Sequence, residues 1–331
     1  MAQGYIHTPG GQHECEILGS GPEAEESQSR WKECQKNPGH EQFISARYFK
    51  DNCLPRIKND GIRDRLRAGI DLTVRLRVNW TSPGRPDGDI FSHARGSNEL
   101  RVGTGFISLW HRKSRVLKDH CDACRGETAK KSWGFSVQTA RHVVYDTEEA
   151  KETKVDLFYD DDSCTPGGGR ETMRGLAVVA TSPGKDTCHF LCVTHDEKLA
   201  DRIESALRCW WRKGLEPLKV PDLDFLTSWG SATPVLIVSH PHGQAKKITV
   251  GEQRYRVGLF LEYNTATCAG SSGAPVFATF CLSVEYWSHV NAFPSVHSGG
   301  FITSSPHLLT RFLDKIRGRK TKQDQINYGF Y

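Results

Sequence analysis

The stretch TCAGSSGAPVF, residues 267–277, places two serine hydroxyls among glycine and alanine before a proline and an apolar segment. Small residues of this kind fill many hairpin turns, so one interpretation is purely structural. The other is that the turn presents the hydroxyl of Ser272 to a substrate, with unobstructed backbone N–H groups beside it. The choice depends on whether the rest of the chain supplies the partners that such a hydroxyl needs.

A serine hydroxyl is a poor nucleophile at neutral pH. It needs a neutral imidazole to accept its proton, and that imidazole needs a carboxylate to hold its tautomer. His142 stands at the end of the apolar segment VQTARHVVYD, where a turn could expose it. Considered alone, a histidine in this position is more often a structural residue. The serine and the histidine therefore define a hypothesis, which the surrounding elements must support.

The elements around these residues are mostly strands. Alternation in DLTVRLRVNW puts apolar residues on one face and predicts a half-buried strand. Further strand-like segments are RVGTGFISLW, WGFSVQTARHVVYD, KVDLFYD, GLAVVATS and CHFLCVT, followed later by TPVLIVSH, KKITVGEQRYRVGLFLEYN, GAPVFATF and SVEYWSHVNAF. Helices are predicted at about 199–213, between the two blocks, and after Ser305. This order predicts two small antiparallel barrels, while the polar composition of residues 1 to about 40 predicts mostly unstructured chain.

Composition excludes several function classes. The 331 residues carry a formal net charge of only +5, no basic stripe interleaved with aromatic residues indicates nucleic acid, and RGRKTK at 317–322 is interpreted as a solvated tail. No apolar stretch is long enough to cross a membrane, and the N-terminus has no signal-peptide pattern. A cytoplasmic location is expected, with the nucleus as the alternative, and the 11 cysteines are expected to be free thiols.

Three motifs occur in order: GTGFI at 103–107, TARHVV at 139–144 and GSSGAPV at 270–276. Over about 72–316 the chain resembles the chymotrypsin-like (trypsin-like) serine peptidases, in particular the disulfide-poor branch with the high-temperature-requirement proteases and the glutamyl endopeptidases. The resemblance implies an all-β fold of two antiparallel six-stranded barrels with an inserted helix. The implied parts are an N-terminal extension (1–66), a first barrel (67–215), a second barrel with a C-terminal helix (216–318) and a basic tail (319–331).

The resemblance also implies roles for individual residues. Ser272 matches the nucleophile, His142 the base, and the backbone N–H groups of Gly270 and Ser272 the oxyanion hole. Asp186 matches the acid, because the family's aspartate precedes an apolar strand of the first barrel; it lies 44 residues after His142 and 86 before Ser272. Asp196 is the second candidate. Other aspartates fit the position less well: Asp160 to Asp162, Asp222 and Asp224.

The resemblance also has implications for substrate specificity and for activation. Thr267, five residues before Ser272, and His297 in VHSGG resemble the pair with which glutamyl endopeptidases and viral cysteine proteases of this fold bind a Glu or Gln side chain. His289 competes with His297 for this role. Ser271 stands where digestive-type relatives carry the aspartate of the zymogen switch, so the chain is expected to be active as folded. Inhibition by the N-terminal extension stays open as the alternative.

Two Cys/His segments have spacings seen in metal sites. HCDAC, with His120, Cys121 and Cys124, lies on a predicted hairpin and lacks a clear fourth ligand, although Cys164, or Cys188 with Cys192, could reach. Free thiols are therefore expected there, and zinc is the alternative. SHPHG at 239–243 is interpreted as the tight turn of the second barrel's first hairpin rather than as a metal box. The implied mechanism requires no metal and no cofactor.

The sequence therefore predicts an intracellular serine endopeptidase that acts as a monomer on protein or peptide substrates, without nucleic-acid or membrane partners. The main alternative is an inactive binding module on a peptidase fold. It arises because Ala274 replaces the second glycine after the nucleophile and would distort the turn if its φ had to be positive. A third alternative is a zinc-dependent interaction domain built on the HCDAC hairpin.

Overall fold

The computed structural model describes residues 12–18, 23–111, 121, 131–166, 168–211, 234–257, 260–278, 295–302 and 325–330. The strands are β1 (Gln12–His13), β2 (Glu16–Leu18), β3 (Ile44–Ser45), β4 (Thr73–Val78), β5 (Leu100–His111), β6 (Trp133–Ala140), β7 (Thr153–Leu157), β8 (Thr165–Pro166), β9 (Gly169–Ser182), β10 (Thr187–Thr194), β11 (Pro234–Ser239), β12 (Lys247–Val257), β13 (Phe260–Tyr263), β14 (Pro275–Ala278), β15 (Ser295–Ile302) and β16 (Gln325–Phe330). The helices are α1 (Glu23–Lys32), α2 (Ala46–Tyr48), α3 (Asp60–Leu72), α4 (Thr147–Lys151) and α5 (Glu197–Trp210). The described chain is thus mostly β, as predicted.

Six strands of one sheet close into a barrel. The order around it is β10-β6-β5-β4-β7-β9, and β9 pairs back to β10. All of these pairings are antiparallel. The barrel therefore contains the predicted strands that precede the inserted helix, and it carries the turn with His142 at one strand end.

The first strand of this barrel is buried on both faces, whereas alternation predicted a half-buried strand. Val74 is buried in the core, but Arg75 on the opposite face is also buried. Arg75 and Arg77 both bind the carboxylate of Asp156 on β7, at 2.7 and 2.8 Å. Burial raises the pKa of Asp156, but the two guanidinium groups outweigh this effect and lower it to about 2. The polar face is therefore stabilised by charge pairing instead of water.

The second sheet carries the Ser272 segment. Its order is β1-β15-β14-β11-β12-β13-β16; β15 also pairs with β16, and β3 pairs with β12. The last strand falls within the segment assigned above to the basic tail (319–331), so part of that tail forms a strand, while RGRKTK lies outside the described residues. The predicted C-terminal helix after Ser305 and the connector at 212–233 lie outside the described residues.

A shared aromatic core joins the two sheets and the inserted helix. Trp210 on α5 packs against Phe106 of β5 and Phe277 of β14, with ring centroids 5.2 and 5.3 Å apart. The helix agrees with its prediction to within three residues at each end. Its first turn is capped by Asp196, whose side chain accepts from the backbone N–H of Leu199 at 3.1 Å. No helix of the described ranges is both long enough and apolar enough to span a membrane.

The prediction of mostly unstructured chain up to about residue 40 is wrong for the part that the structure describes. β1 pairs antiparallel with β15 in the second sheet, and β2 pairs antiparallel with β5 in the barrel. α1 follows immediately, at Glu23–Lys32. These pairings use backbone groups, so the segment is ordered with few large aliphatic side chains. It crosses from one sheet to the other, past the turn that carries Ser272.

Candidate active site

The His142 imidazole is held by Asp186 at the ends of two neighbouring strands. β6 and β10 pair as far as Ala140 and Thr187, so the turn after β6 lies beside the residue that precedes β10. His142 Nδ1 and Asp186 Oδ2 are 2.6 Å apart, and the His142 backbone N–H donates to Asp186 Oδ1 at 3.1 Å. Because a carboxylate only accepts, Nδ1 carries the ring proton and the imidazole orientation is fixed.

The other ring nitrogen of His142 is then free to accept a proton. Nε2 is buried and has no hydrogen-bond partner among the described residues. Burial lowers the pKa of His142 to about 4; the Asp186 charge opposes this shift, and the nearby His13 and Arg85 add to it. The His13 ring packs on the His142 ring with centroids 4.1 Å apart. The imidazole is therefore neutral near pH 7, which is the form that a general base requires.

The turn around Ser272 depends on two glycines with left-handed backbone. Gly270 has φ 90° and Gly273 has φ 86°. A Cβ atom on Gly273 would lie 2.1 Å from the carbonyl oxygen of Thr104, which is too close for any side chain. The Thr104 backbone N–H also donates to the Ser272 carbonyl at 2.8 Å, so the GTGFI strand supports the turn directly. Ala274 is not among the described residues with positive φ, which removes the argument that this alanine distorts the turn.

Two N–H groups of this turn converge on one oxygen. The backbone N–H groups of Gly270 and Ser272 donate to the carbonyl oxygen of Glu14, at 2.6 and 3.0 Å. Two convergent donors at such distances are what an oxyanion hole presents to a reacting carbonyl. The structure thus brings the two predicted donors together, and the carbonyl that they bind comes from the N-terminal extension, which the sequence analysis did not anticipate.

The side chain of Glu14 lies in a polar pocket formed by the second sheet. Its Oε2 accepts from His297 Nε2 at 2.9 Å, and His297 Nδ1 lies 2.7 Å from the hydroxyl of Tyr263. Its Oε1 contacts the ammonium group of Lys36, which also donates to Thr267 Oγ1 at 3.2 Å. Of the two residues predicted to recognise a Glu or Gln side chain, His297 binds this carboxylate directly, whereas Thr267 is linked to it through Lys36. The competing His289 lies outside the described residues.

The chain around Glu14 is extended and adds a strand to each sheet in turn. On one side His13 is opposite Gly299 of β15, and on the other Glu16 is opposite Val102 of β5. Main-chain pairing on both sides of a central residue is how extended peptides bind to sheet edges. The argument from Ser271 predicts a chain that is active as folded. In the structure residues 12–18 lie across the site, so activity of the chain as folded stays a prediction.

The other predicted acids lie elsewhere and have other partners. Asp196 caps α5, as described above. Asp160 binds two lysines, Lys50 at 2.6 Å and Lys246 at 3.0 Å, and Asp161 pairs with Arg47. Asp222 and Asp224 lie outside the described residues. Among the described candidates for the acid, Asp186 is the one hydrogen-bonded to the imidazole.

A second cluster of reactive side chains lies next to the nucleophile turn. The Sγ atoms of Cys34 and Cys268 and ring nitrogens of His40 and His242 all lie within 4.8 Å of one another. SHPHG forms the predicted tight turn between β11 and β12, yet His242 of this turn belongs to the cluster. Sequence reasoning missed the set because its members come from three separate segments of the chain.

Within the described residues, the cysteines favoured by spacing form no such group. Cys121 of HCDAC is buried with its Sγ atom 3.6 Å from His195 Nε2, while His120 and Cys124 lie outside the described residues. None of the nine described cysteines is in a disulfide. Burial raises the pKa of the Cys188 and Cys192 thiols, which are therefore protonated and unreactive.

No protein-family model matches the sequence. No curated protein matches it either. Among solved structures, the chain is similar to "Crystal structure of Rv3671c protease, inactive form", with a TM-score of 0.38 and 14% sequence identity over 83% of this chain and 88% of that one. A likeness at this TM-score does not establish a shared function, so the proposal below rests on the geometry of the site.

Proposed function

We propose that this protein is a serine endopeptidase of the trypsin-like, two-barrel type. The observation that carries the proposal is the convergence of the Gly270 and Ser272 N–H groups on one carbonyl oxygen, beside the hydrogen-bonded pair of His142 and Asp186. The pairing of β16 with both β13 and β15 supports a second barrel, because it joins the two ends of a six-strand path.

In the proposed mechanism, Ser272 Oγ attacks the carbonyl carbon of the scissile bond while His142 Nε2 accepts the hydroxyl proton. Asp186 keeps the other ring nitrogen protonated and stabilises the imidazolium that forms. The N–H groups of Gly270 and Ser272 stabilise the negative oxygen of the tetrahedral intermediate. His142 then protonates the leaving amine, and water hydrolyses the acyl-enzyme by the same steps in reverse.

The proposed specificity is for Glu before the cleaved bond. A carboxylate in the pocket meets the donor Nε2 of His297 and the cation of Lys36, as Glu14 does. A Gln side chain would keep one of these hydrogen bonds but would lose the charge attraction. A pocket whose buried polar groups need a partner rejects side chains without one more strongly than an apolar pocket rejects a difference in size. Glu is therefore expected to be preferred over Gln, and both over apolar residues.

The state of the cysteines bears on the cellular compartment in which the enzyme acts. Cysteines outside disulfides are typical of reducing compartments, and none of the nine described cysteines is in a disulfide. We therefore infer a cytoplasmic peptidase acting on protein or peptide substrates.

The experiment measures cleavage of a peptide library varied at the residue before the cut. The enzyme is the full chain with Glu14→Ala, which removes the carboxylate that holds the chain's own segment in the pocket. Hydrolysis after Glu is expected, with loss of about 10⁴-fold or more in kcat on adding Ser272→Ala. Ser205→Ala, an exposed serine on α5, is the matched control and should change nothing. Hydrolysis that survives Ser272→Ala, or none in any variant, would contradict the proposal, and the second outcome would favour the binding-module alternative.

A further inference from the structure

The cluster of Cys34, His40, His242 and Cys268 is a second site, and we propose that it binds one Zn²⁺ ion. The Sγ atoms of the two cysteines are 3.6 Å apart, and Cys268 Sγ lies 3.4 Å from His40 Nε2. A tetrahedral zinc ion with two sulfur and two nitrogen ligands separates its ligand atoms by about 3.8 Å (S to S) and about 3.5 Å (S to N). A disulfide would need an S–S distance of about 2.0 Å, so the spacing fits the metal and not the bond.

Hydrogen bonds from neighbouring residues favour the forms of these side chains that bind a metal ion. The amide of Asn37 donates to Cys268 Sγ at 3.0 Å, and the Asn37 backbone N–H donates to Cys34 Sγ at 3.4 Å. Hydrogen bonds of this kind stabilise thiolates. His242 Nδ1 lies 2.7 Å from the Glu16 carboxylate, which directs Nε2 towards the cluster. That Nε2 is buried and has no hydrogen-bond partner among the described residues.

The ligand set identifies the ion and its role. Two thiolates and two imidazoles in tetrahedral array favour zinc, and two thiolates balance its charge. All four positions are filled by protein, so the site is structural and does not activate water. Cys34 and His40 belong to the N-terminal extension, whereas Cys268 lies four residues before Ser272. The ion would therefore fasten the extension to the turn that forms the active site.

Metal content of the purified full chain tests this inference without reference to peptidase activity. One zinc per chain is expected, with loss of stoichiometric zinc in Cys34→Ser and Cys268→Ser. Cys209→Ser, on α5, is the matched control, and Cys121→Ser tests the HCDAC hairpin instead. Because a ligand variant could misfold, the cobalt-substituted wild type is measured as well. Its absorption spectrum should show a tetrahedral ion with two thiolates. Zinc that is absent from the wild type, that survives both ligand changes, or that is lost only with Cys121 would overturn the proposal, as would an octahedral cobalt spectrum.

A separate observation concerns the segment that crosses the active site. Resting on the proposed function, we infer that Glu14–Cys15 is a bond that the enzyme cleaves in its own chain. The Glu14 carbonyl occupies the two N–H groups, its side chain fills the pocket, and the chain pairs with β15 before the bond and with β5 after it. Each of these contacts is one that a substrate of the proposed peptidase would make.

The reaction is hydrolysis and consumes one water molecule. Ser272 Oγ would form an ester with the Glu14 carbonyl carbon as the bond to the Cys15 nitrogen breaks, and His142 would deliver the proton to that nitrogen. Water would then release Glu14 as a free carboxylate and restore the serine. Of the described residues before the cut, 12–14 would keep the short β1 pairing, the packing of His13 on His142 and the Glu14 contacts, whereas the chain from Cys15 onward remains paired through β2. Cleavage would therefore open the site.

Mass spectrometry of the full chain during incubation at neutral pH tests this inference. A new N-terminus at Cys15 is expected, with a first-order rate that does not change with protein concentration. Ser272→Ala and Glu14→Ala should stay intact, whereas Glu25→Ala, an exposed residue of α1, should be cut like the wild type. A wild type that stays intact, while Glu14→Ala cleaves Glu peptides, would overturn self-cleavage and leave the proposed function standing. A wild type and a Glu14→Ala chain that both cut nothing would overturn the proposed function as well.

Discussion

Replacing His297 with alanine should weaken cleavage after Glu far more than cleavage after other residues. The bond between His297 Nε2 and the Glu14 carboxylate is 2.9 Å long, and the two side chains are 0% and 6% exposed. Removing a hydrogen-bond donor from a buried carboxylate costs about 2–5 kcal/mol, because the negative charge is left without that partner. Lys36 stays beside the carboxylate, so a cost in the lower half of this range is expected.

Since each 1.36 kcal/mol is a factor of ten in rate, the expected fall in kcat/KM for Glu peptides is about 30- to 300-fold. Gln peptides lose a hydrogen bond to a neutral amide, so their kcat/KM should fall by only about 3- to 10-fold. Peptides with leucine before the cut should be nearly unaffected.

The assay compares these three peptides in the Glu14→Ala background, with and without His297→Ala. His189→Ala, a half-buried histidine on β10, is the matched control because it makes the same change away from the pocket. An equal loss for all three peptides would mean that the substitution damages the fold. A Glu preference that is unchanged in His297→Ala would refute the assignment of the pocket and return the role to His289.

Three further predictions follow from the site. Asp186→Asn should lower kcat about 10⁴-fold by favouring the wrong imidazole tautomer, whereas Asp196→Asn, which alters only a helix cap, should leave kcat unchanged in the same peptide assay. Burial holds the pKa of His142 at about 4 although Asp186 raises it, and cleavage needs the neutral ring. The self-cleavage rate should therefore be constant above about pH 5 and fall below it. Peptide hydrolysis by the opened site should instead fall at about pH 6.5, the ordinary pKa of histidine. If both rates fell over the same pH range, the prediction would be contradicted. Gly273→Ala should abolish hydrolysis because its Cβ would lie 2.1 Å from a carbonyl oxygen. The control is Gly88→Ala, which has a similar φ of 81° but no atom within 4 Å of the added Cβ. It should lower the free energy of unfolding in urea by about 1–2 kcal/mol and retain activity.

The described strands and the placement of Asp186 beside His142 could be predicted from the sequence because their signals are local. Alternating apolar residues specify strands, and the glycines of GSSGAPV specify a turn that only small residues can form. The position of Asp186 follows from the start of one apolar strand, and the β6–β10 pairing brings it to His142. Alternation failed only for the polar face of β4, where Arg75 is buried with a carboxylate partner that lies 81 residues further along the chain.

The N-terminal extension could not be predicted in the same way, because what orders it lies far away in the sequence. Glu14 is held by His297, 283 residues later, and Cys268 lies 234 residues after Cys34. The backbone pairing of β1 and β2 leaves no apolar periodicity to detect. The sequence held a weak signal for the proposed metal site. It consists of the six-residue spacing of Cys34 and His40, His242 in SHPHG, and Cys268 just before the nucleophile turn. Each of these is common alone, and only the fold shows that they meet.

Labelling with a fluorophosphonate probe, followed by mass-spectrometric mapping of the modified peptide, tests the central claim most directly. The full chain with Glu14→Ala should carry one adduct per chain, on Ser272, because only a hydroxyl activated by His142 beside two N–H donors reacts quickly with such a probe. The adduct should disappear in Ser272→Ala and persist in Ser205→Ala. An adduct on another serine that survives Ser272→Ala, or no adduct in a correctly folded chain, would contradict the claim that Ser272 is a catalytic nucleophile.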